Sequence, residues 1–197
     1  MIDVAIIDSG GANLASLQFA LERLGARALV SSDADTIATA ERVLLPGVGA
    51  AAAAMRRLRA AGLAELIPTL RVPLLGICLG MQLLFEHSAE GDTACLGIVG
   101  GRVERLTPAP GMPVPHMGWN TLEAIRDDPL LAGIDAADHL YFVHSYAAPV
   151  SDSTTAAVRY GRPVAAALRR DNFRGVQFHP ERSATVGSQI LRNFLAL

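Results

Sequence analysis

Apolar residues gather in short runs that alternate with helical periods. Ile2 to Asp8 is a nearly continuous apolar run that stops at Ser9-Gly10-Gly11-Ala12-Asn13, which predicts a buried strand and a tight turn. Leu14, Leu17, Leu21 and Leu24 then recur at helical spacing, with Asn13 as the expected cap and Gly25 as the stop. Strands are predicted over Ala26–Val30, Arg42–Leu45 and Val72–Ile77. Helices are predicted through Met55, Leu58 and Ala61, then on to Leu70, and again over Leu79–Phe85. Such alternation implies crossover units and a largely parallel sheet with helices on both faces. The second half is richer in strands: Ile98–Leu106, Asn120–Ile125, His139–Tyr146, Thr155–Tyr160, Val164–Arg169 and Gly175–Phe178, before a closing helix over Ser188–Leu195. The fold class expected is α/β, an open, mostly parallel, flavodoxin-like sheet with an antiparallel extension in the second half. One domain over residues 1–197 is expected.

Composition narrows the partners. Seventeen basic residues, all arginine, against nineteen acidic ones give a net charge of −2, which lacks the basic surplus a nucleic-acid binder uses to displace counterions. The longest apolar stretch, Val72 to Phe85, is shorter than the about 20 residues of a membrane helix, and glycines interrupt it. Two cysteines make no disulfide framework, and the opening residues lack the basic start of a signal peptide. A cytoplasmic protein with no membrane or nucleic-acid partner is expected.

Candidate chemistry begins at Gly76-Ile77-Cys78-Leu79-Gly80, where an apolar strand runs straight into a helix. This is a nucleophile elbow with cysteine in place of serine. A helix starting beneath the sulfur favours the thiolate, and the Leu79 N–H is placed for an oxyanion. Most free cysteines in apolar runs are small buried hydrophobes; the two flanking glycines favour the nucleophile here. Cys95 lacks that setting and is assigned to structure. His179 follows a strand at its carboxyl end, where parallel sheets place ligands, and Glu181 lies two residues on, on the same side of extended backbone. His-Pro-Glu alone is also an ordinary strand-ending turn; beside the cysteine elbow it supplies a base and its orienting acid. Pro46-Gly47-Val48-Gly49 is equally a second oxyanion donor or a plain turn. No metal-ligand spacing stands out, and neither a metal nor a cofactor is expected.

Together, G-I-C-L-G-M-Q, P-G-V-G and G-V-Q-F-H-P-E-R-S resemble the motifs of class I, triad-type glutamine amidotransferases. P-H-M-G-W-N (Pro115–Asn120) and Y-F-V-H-S-Y (Tyr141–Tyr146) are similar to the glutaminase subunits of imidazole glycerol phosphate synthases, and the resemblance spans the chain. It implies that Cys78 attacks glutamine to form a thioester, with His179 as base and Glu181 behind it. Val48, Gly49 and Leu79 would serve the oxyanion. Gly47, Gly49, Gln82, Glu90, Ser145 and Tyr146 would hold the substrate, with Glu90 receiving its α-amino group. Asn13, Trp119, Tyr141 and Arg182 would meet the partner, a separate (β/α)8-barrel cyclase subunit that consumes the ammonia in histidine biosynthesis. Departures from the usual pattern are Ala12 in the first turn, Ala51 where phenylalanine is common, and Arg182 for a frequent lysine. A glutaminase serving another synthase, a catalytically silent binding module and a cysteine hydrolase are the rival readings; the last two motifs and the intact triad count against the first two.

Overall fold

The computed structural model describes residues 3–10 and 14–197, with the side chains of residues 124 and 125 left aside. Asn13 and Ala12, the expected cap with partner contact and the altered turn, lie outside the described residues.

The first half alternates as its pattern predicts. Strand β1 (Val4–Ile7) leads to α1 (Leu14–Arg23), β2 (Ala28–Ser31), α2 (Ala34–Thr39), β3 (Arg42–Gly47), α3 (Ala51–Ala60), α4 (Leu63–Leu66), β4 (Leu74–Cys78) and α5 (Leu79–Leu83). Then come β5 (Phe85–Ser88), β6 (Thr93–Ala94), β7 (Val99–Arg105), β8 (His116–Thr121), β9 (Ala124–Ile125), β10 (His139–His144), β11 (Tyr146–Ala147), β12 (Thr154–Tyr160), β13 (Arg162–Arg170), β14 (Phe173–Val176) and α6 (Ala184–Leu195).

Eight strands form the main sheet in the order β2-β1-β3-β4-β14-β13-β12-β9. The first five are parallel and the last three join antiparallel, giving the expected extension. Two annexes stand apart from it: the antiparallel pair β8–β10 and a four-stranded sheet, β11-β7-β5-β6.

Each central strand is buried on both faces, so the alternation of its side chains feeds two cores. Val4, Ile6, Leu44, Leu75 and Ile77 pack on one face with Leu17 and Leu21 of α1 and Ile190, Leu191 and Phe194 of α6. Ala5, Ile7, Val43, Leu45 and Leu74 pack on the other with Ile37, Met55, Leu58 and Phe85.

Several elements differ from expectation; the closing helix starts four residues early at Ala184, β14 is Phe173–Val176 rather than Gly175–Phe178, and the strand expected over His139–Tyr146 is divided into β10 and β11. Helix α2 has too few apolar residues to show a period; Asp33 caps it by accepting from the Thr36 N–H at 2.8 Å. Helix α5 stops at Leu83, and Phe85 opens a strand parallel to Val99 of β7. The run Leu83-Leu84-Phe85 suits either element, and Phe85 is buried from the strand side. The strand expected at Asn120–Ile125 is two strands, β8 beginning earlier at His116 and β9 at Ala124. The proline-rich loop Thr107 to His116 does connect β7 to β8, with a bridge between Ala109 and Met112.

Candidate active site

Strands β3, β4 and β14 run parallel, so their carboxyl ends meet at one rim. Gly47 pairs with Cys78 across β3 and β4, and His179 follows β14 by three residues. Cys78 sits at the turn into α5 with φ 54° and ψ −111°, a conformation that non-glycine residues rarely hold. The turn is possible because its glycines let chain segments touch. A Cβ on Gly76 would lie 2.7 Å from the Gly80 carbonyl oxygen, and one on Gly80 would overlap the carbonyl of Leu45. The strained geometry lifts the sulfur into a cavity of about 400 Å³.

That cavity brings together the residues singled out in the sequence. Cys78, His179 and Glu181 line it, as do Gly47, Val48, Gly49, Leu79, Gln82, Glu90, Ser145, Tyr146 and Arg182. The Nδ1 of His179 stands 2.8 Å from Glu181 Oε1, which fixes Nδ1 as the protonated nitrogen when the ring is neutral. Among the described residues its buried Nε2 has no oxygen or nitrogen partner, and it is the nitrogen left for the sulfur. Burial by itself opposes a charge on His179. Interactions with the Cys78 sulfur and the Glu181 carboxylate outweigh it and raise the imidazole to about 10. Ser183 holds His179 in place: its hydroxyl donates to the His179 carbonyl at 2.7 Å and accepts from the Tyr141 N–H at 3.0 Å.

The oxyanion candidates come from two backbones. Leu79 opens α5, where helical geometry leaves the first N–H groups without intrahelical partners. Gly49 has φ +88°, and its neighbour Val48 is partly exposed at the cavity edge. Ser9 steadies this loop by donating its hydroxyl to the Pro46 carbonyl at 2.8 Å. Glu90 reaches the same loop: its Oε2 accepts from the Ala51 N–H at 2.8 Å, capping α3, whose own N-cap residue, Ala50, offers no side-chain acceptor. Ala51 is fully buried, so the position of the usual phenylalanine is closed over in this chain.

Gln82 is buried, and both hydrogens of its amide are engaged, with the Tyr146 carbonyl at 2.8 Å and Gln177 Oε1 at 3.0 Å. Its carbonyl oxygen remains for a ligand. Gln177 was not singled out, although a polar residue between Val176 and Phe178 in a buried strand was the available signal. His144 and His116 were also missed. Their rings meet at 3.1 Å, and His144 Nδ1 donates to the Tyr146 carbonyl at 2.8 Å. Burial drives both histidines down to about 4, so this pair is neutral.

The β8–β10 pair flanks the site. Its inward face carries His116, Leu140, Phe142 and His144, while Met117 and Trp119 are 63% and 53% exposed. Trp119 meets Tyr141 edge-on with ring centres 5.8 Å apart, and the Arg182 guanidinium lies 4.7 Å over the Tyr141 ring. Trp119 and Tyr141 stand outside the cavity, and Arg182 joins its lining to this aromatic face. Among the described residues, no helix is long and apolar enough to cross a membrane.

Known proteins resemble this chain in sequence and fold. The chain is 58% identical to the imidazole glycerol phosphate synthase subunit HisH of Xanthomonas campestris pv. campestris, over all of this chain and 98% of that relative. It is 54% identical to the subunit of the same name from Xylella fastidiosa, with the same coverage. Among solved structures, one described as a glutamine amidotransferase superposes with a TM-score of 0.76 at 20% identity, covering 98% of this chain and 97% of the other. The structure of PurLQS from Thermotoga maritima gives 0.71, also at 20% identity, covering 100% of this chain and 99% of the other. The family model for glutamine amidotransferase class-I matches residues 5–197, and the chain belongs to that family.

Proposed function

We propose that this chain is the glutaminase subunit of imidazole glycerol phosphate synthase, with Cys78 as nucleophile, His179 as general base and acid, and Glu181 as the orienting carboxylate. The observation that carries the reading is the meeting of these three groups in one cavity at the rim of the sheet. Full-length similarity to HisH subunits supports the choice of synthase.

In the first half-reaction, His179 takes the thiol proton and the sulfur attacks the side-chain amide carbon of glutamine. The carbonyl oxygen becomes an oxyanion, met by the Leu79 N–H and a donor from the Val48–Gly49 peptide. The imidazolium returns its proton to the amide nitrogen, the C–N bond breaks, and ammonia leaves a γ-glutamyl thioester. In the second, His179 deprotonates water, which attacks the thioester carbon; the C–S bond breaks and glutamate departs. Glu90 binds the substrate ammonium, and Gly47, Gln82, Ser145 and Tyr146 form the remaining wall.

The ammonia passes to a separate barrel-shaped cyclase subunit. Met117, Trp119, Tyr141 and Arg182 form its docking face, a large exposed aromatic beside a guanidinium being a common anchor pattern. Docking or acceptor binding favours the Val48–Gly49 orientation that completes the oxyanion site.

The test is Cys78→Ala in a complex with the cyclase. Glutamine-dependent synthesis should fall by at least about four orders of magnitude, while added ammonia still supports cyclisation. Retained glutamine use would overturn the assignment.

A further inference from the structure

Gln177 has a completely buried side chain, set between Val176 and Phe178 just beyond the end of β14. A buried amide is costly unless its polar atoms are paired. Here the pairing fixes which end of the amide faces the sulfur. The Tyr146 carbonyl can only accept, so the Gln82 atom 2.8 Å from it is the donor Nε2. That nitrogen spends its second hydrogen on Gln177, whose facing atom, at 3.0 Å, must therefore be Oε1. The other end of the amide, Nε2, is left 3.7 Å from Cys78 Sγ. His144 Nδ1 also donates to the Tyr146 carbonyl, filling it and holding this orientation in place.

We propose that Gln177 belongs to the catalytic machinery, as an N–H donor that stabilises the anionic form of the Cys78 sulfur, and that Gln82 is the positioning residue that keeps the donor end aimed at it. The inference rests on Cys78 being the nucleophile and goes beyond the triad. The sulfur's two other contacts behave differently when the proton leaves. As a thiol, Cys78 donates to the Val143 carbonyl at 3.7 Å. Once His179 holds the proton, that carbonyl offers the sulfur no hydrogen and repels its charge. The Gln177 N–H then remains as a neutral donor, and a hydrogen bond to the charged form favours that form. It acts twice per turnover, at the attack and when the sulfur is expelled from the thioester. The ionisable groups facing the sulfur across the cavity are His179, Glu181, His144, Glu90, Tyr146 and Arg182. None is changed by substituting Gln177.

The experiment is iodoacetamide alkylation of the full chain at pH 7 and pH 10, in a Cys95→Ala background so that one thiol reports. Gln177→Met keeps the length and removes the donor. Its rate constant at pH 7 should fall about tenfold, and should approach the parent rate at pH 10, where base ionises the thiol in both. Glutaminase kcat should fall about tenfold with KM within about twofold. An unchanged rate at pH 7, or the same loss at both pH values, overturns the proposal, since lost access would act equally at each. Should Gln177→Met fail to fold, Gln177→Asn decides: it keeps a neutral amide but is one methylene shorter, which draws the donor away from the sulfur. A pH 7 rate below the parent's that recovers at pH 10 supports the donor, and an unchanged rate or an equal loss at both pH values overturns it. Alkylation needs no glutamine. A parent chain inert to glutamine even in complex with the cyclase, yet still showing the pH contrast, would sink the glutaminase reading and leave Gln177 standing.

Discussion

Glu90 is assigned two tasks that a pair of substitutions can separate. One oxygen caps α3 through the Ala51 N–H at 2.8 Å, and the carboxylate also lines the cavity, where the substrate ammonium is proposed to sit. Among the described residues α3 has no other side-chain cap, so Glu90→Ala leaves an N–H of the first turn without its acceptor. Loss of such a cap costs about 1–2 kcal/mol, and for a chain of this size that lowers Tm by about 2–8 °C. Glu90→Gln keeps an acceptor oxygen at the same reach and loses only the charge beside the helix end, a cost of at most about 1 kcal/mol. Towards substrate the two should behave alike, because a neutral amide cannot replace a carboxylate facing an ammonium. Losing a charged hydrogen bond of about 1.5–3 kcal/mol lowers kcat/KM for glutamine about 10- to 150-fold. Thermal melts and steady-state glutaminase assays of the two variants measure both. If Glu90→Gln melts as low as Glu90→Ala, the cap is not what Glu90 contributes to stability. If Glu90→Gln keeps the parent kcat/KM, Glu90 is not the ammonium site.

The neutral histidine pair makes a pH prediction. His116 and His144 are lowered from 6.5 to about 4, so below about pH 6.5 the unfolded chain takes up protons that the native pair refuses. Native stability should fall as pH drops from about 6.5 to 4, by at most about 1.4 kcal/mol per pH unit for each ring. His116→Phe, which keeps an aromatic ring stacked between Phe142 and Tyr160, should reduce that slope; urea titrations at pH 7, 6 and 5 measure it, and an unaltered slope would count against the assignment. At the elbow, Gly80→Ala drives a methyl group into the Leu45 carbonyl and should cost at least about 2 kcal/mol in denaturant titration. Stability equal to the parent's would show that the turn can relax around it.

The central part of the parallel half was legible because both faces of its strands are buried, so β1, β4 and the Val43–Leu45 stretch of β3 read as apolar runs. The cysteine elbow was legible for a similar reason: close approach of β4 and α5 leaves room only for glycine, and glycine is visible in a sequence. What escaped depends on distant neighbours. Phe85 and Leu83 carry the same apolar signature, and only the arrival of β7 makes one a strand and the other a helix end. Gln177 and His144 look like isolated polar residues in apolar strands. Their meaning comes from the Tyr146 carbonyl and the Gln82 amide, groups far from Gln177 in sequence that fold onto the same spot. Glu90 was named for substrate, yet its hold on α3 could not be seen without knowing that Ala51 lies beside it.

Parallel strands also sort the molecule by direction. The chemistry crowds the end where β3, β4 and β14 finish, while the end where β4 and β14 begin is closed by Asn172, whose amide clamps the carbonyls of Leu70 and Val72 at 3.0 and 2.8 Å. Exposed Arg71 lies between those two residues, on the side away from the cavity. A dye, surface anchor or fused reporter attached there would leave the mouth of the cavity and the Trp119 face open to solution, which makes Arg71 the natural handle for single-molecule or immobilised work on this protein.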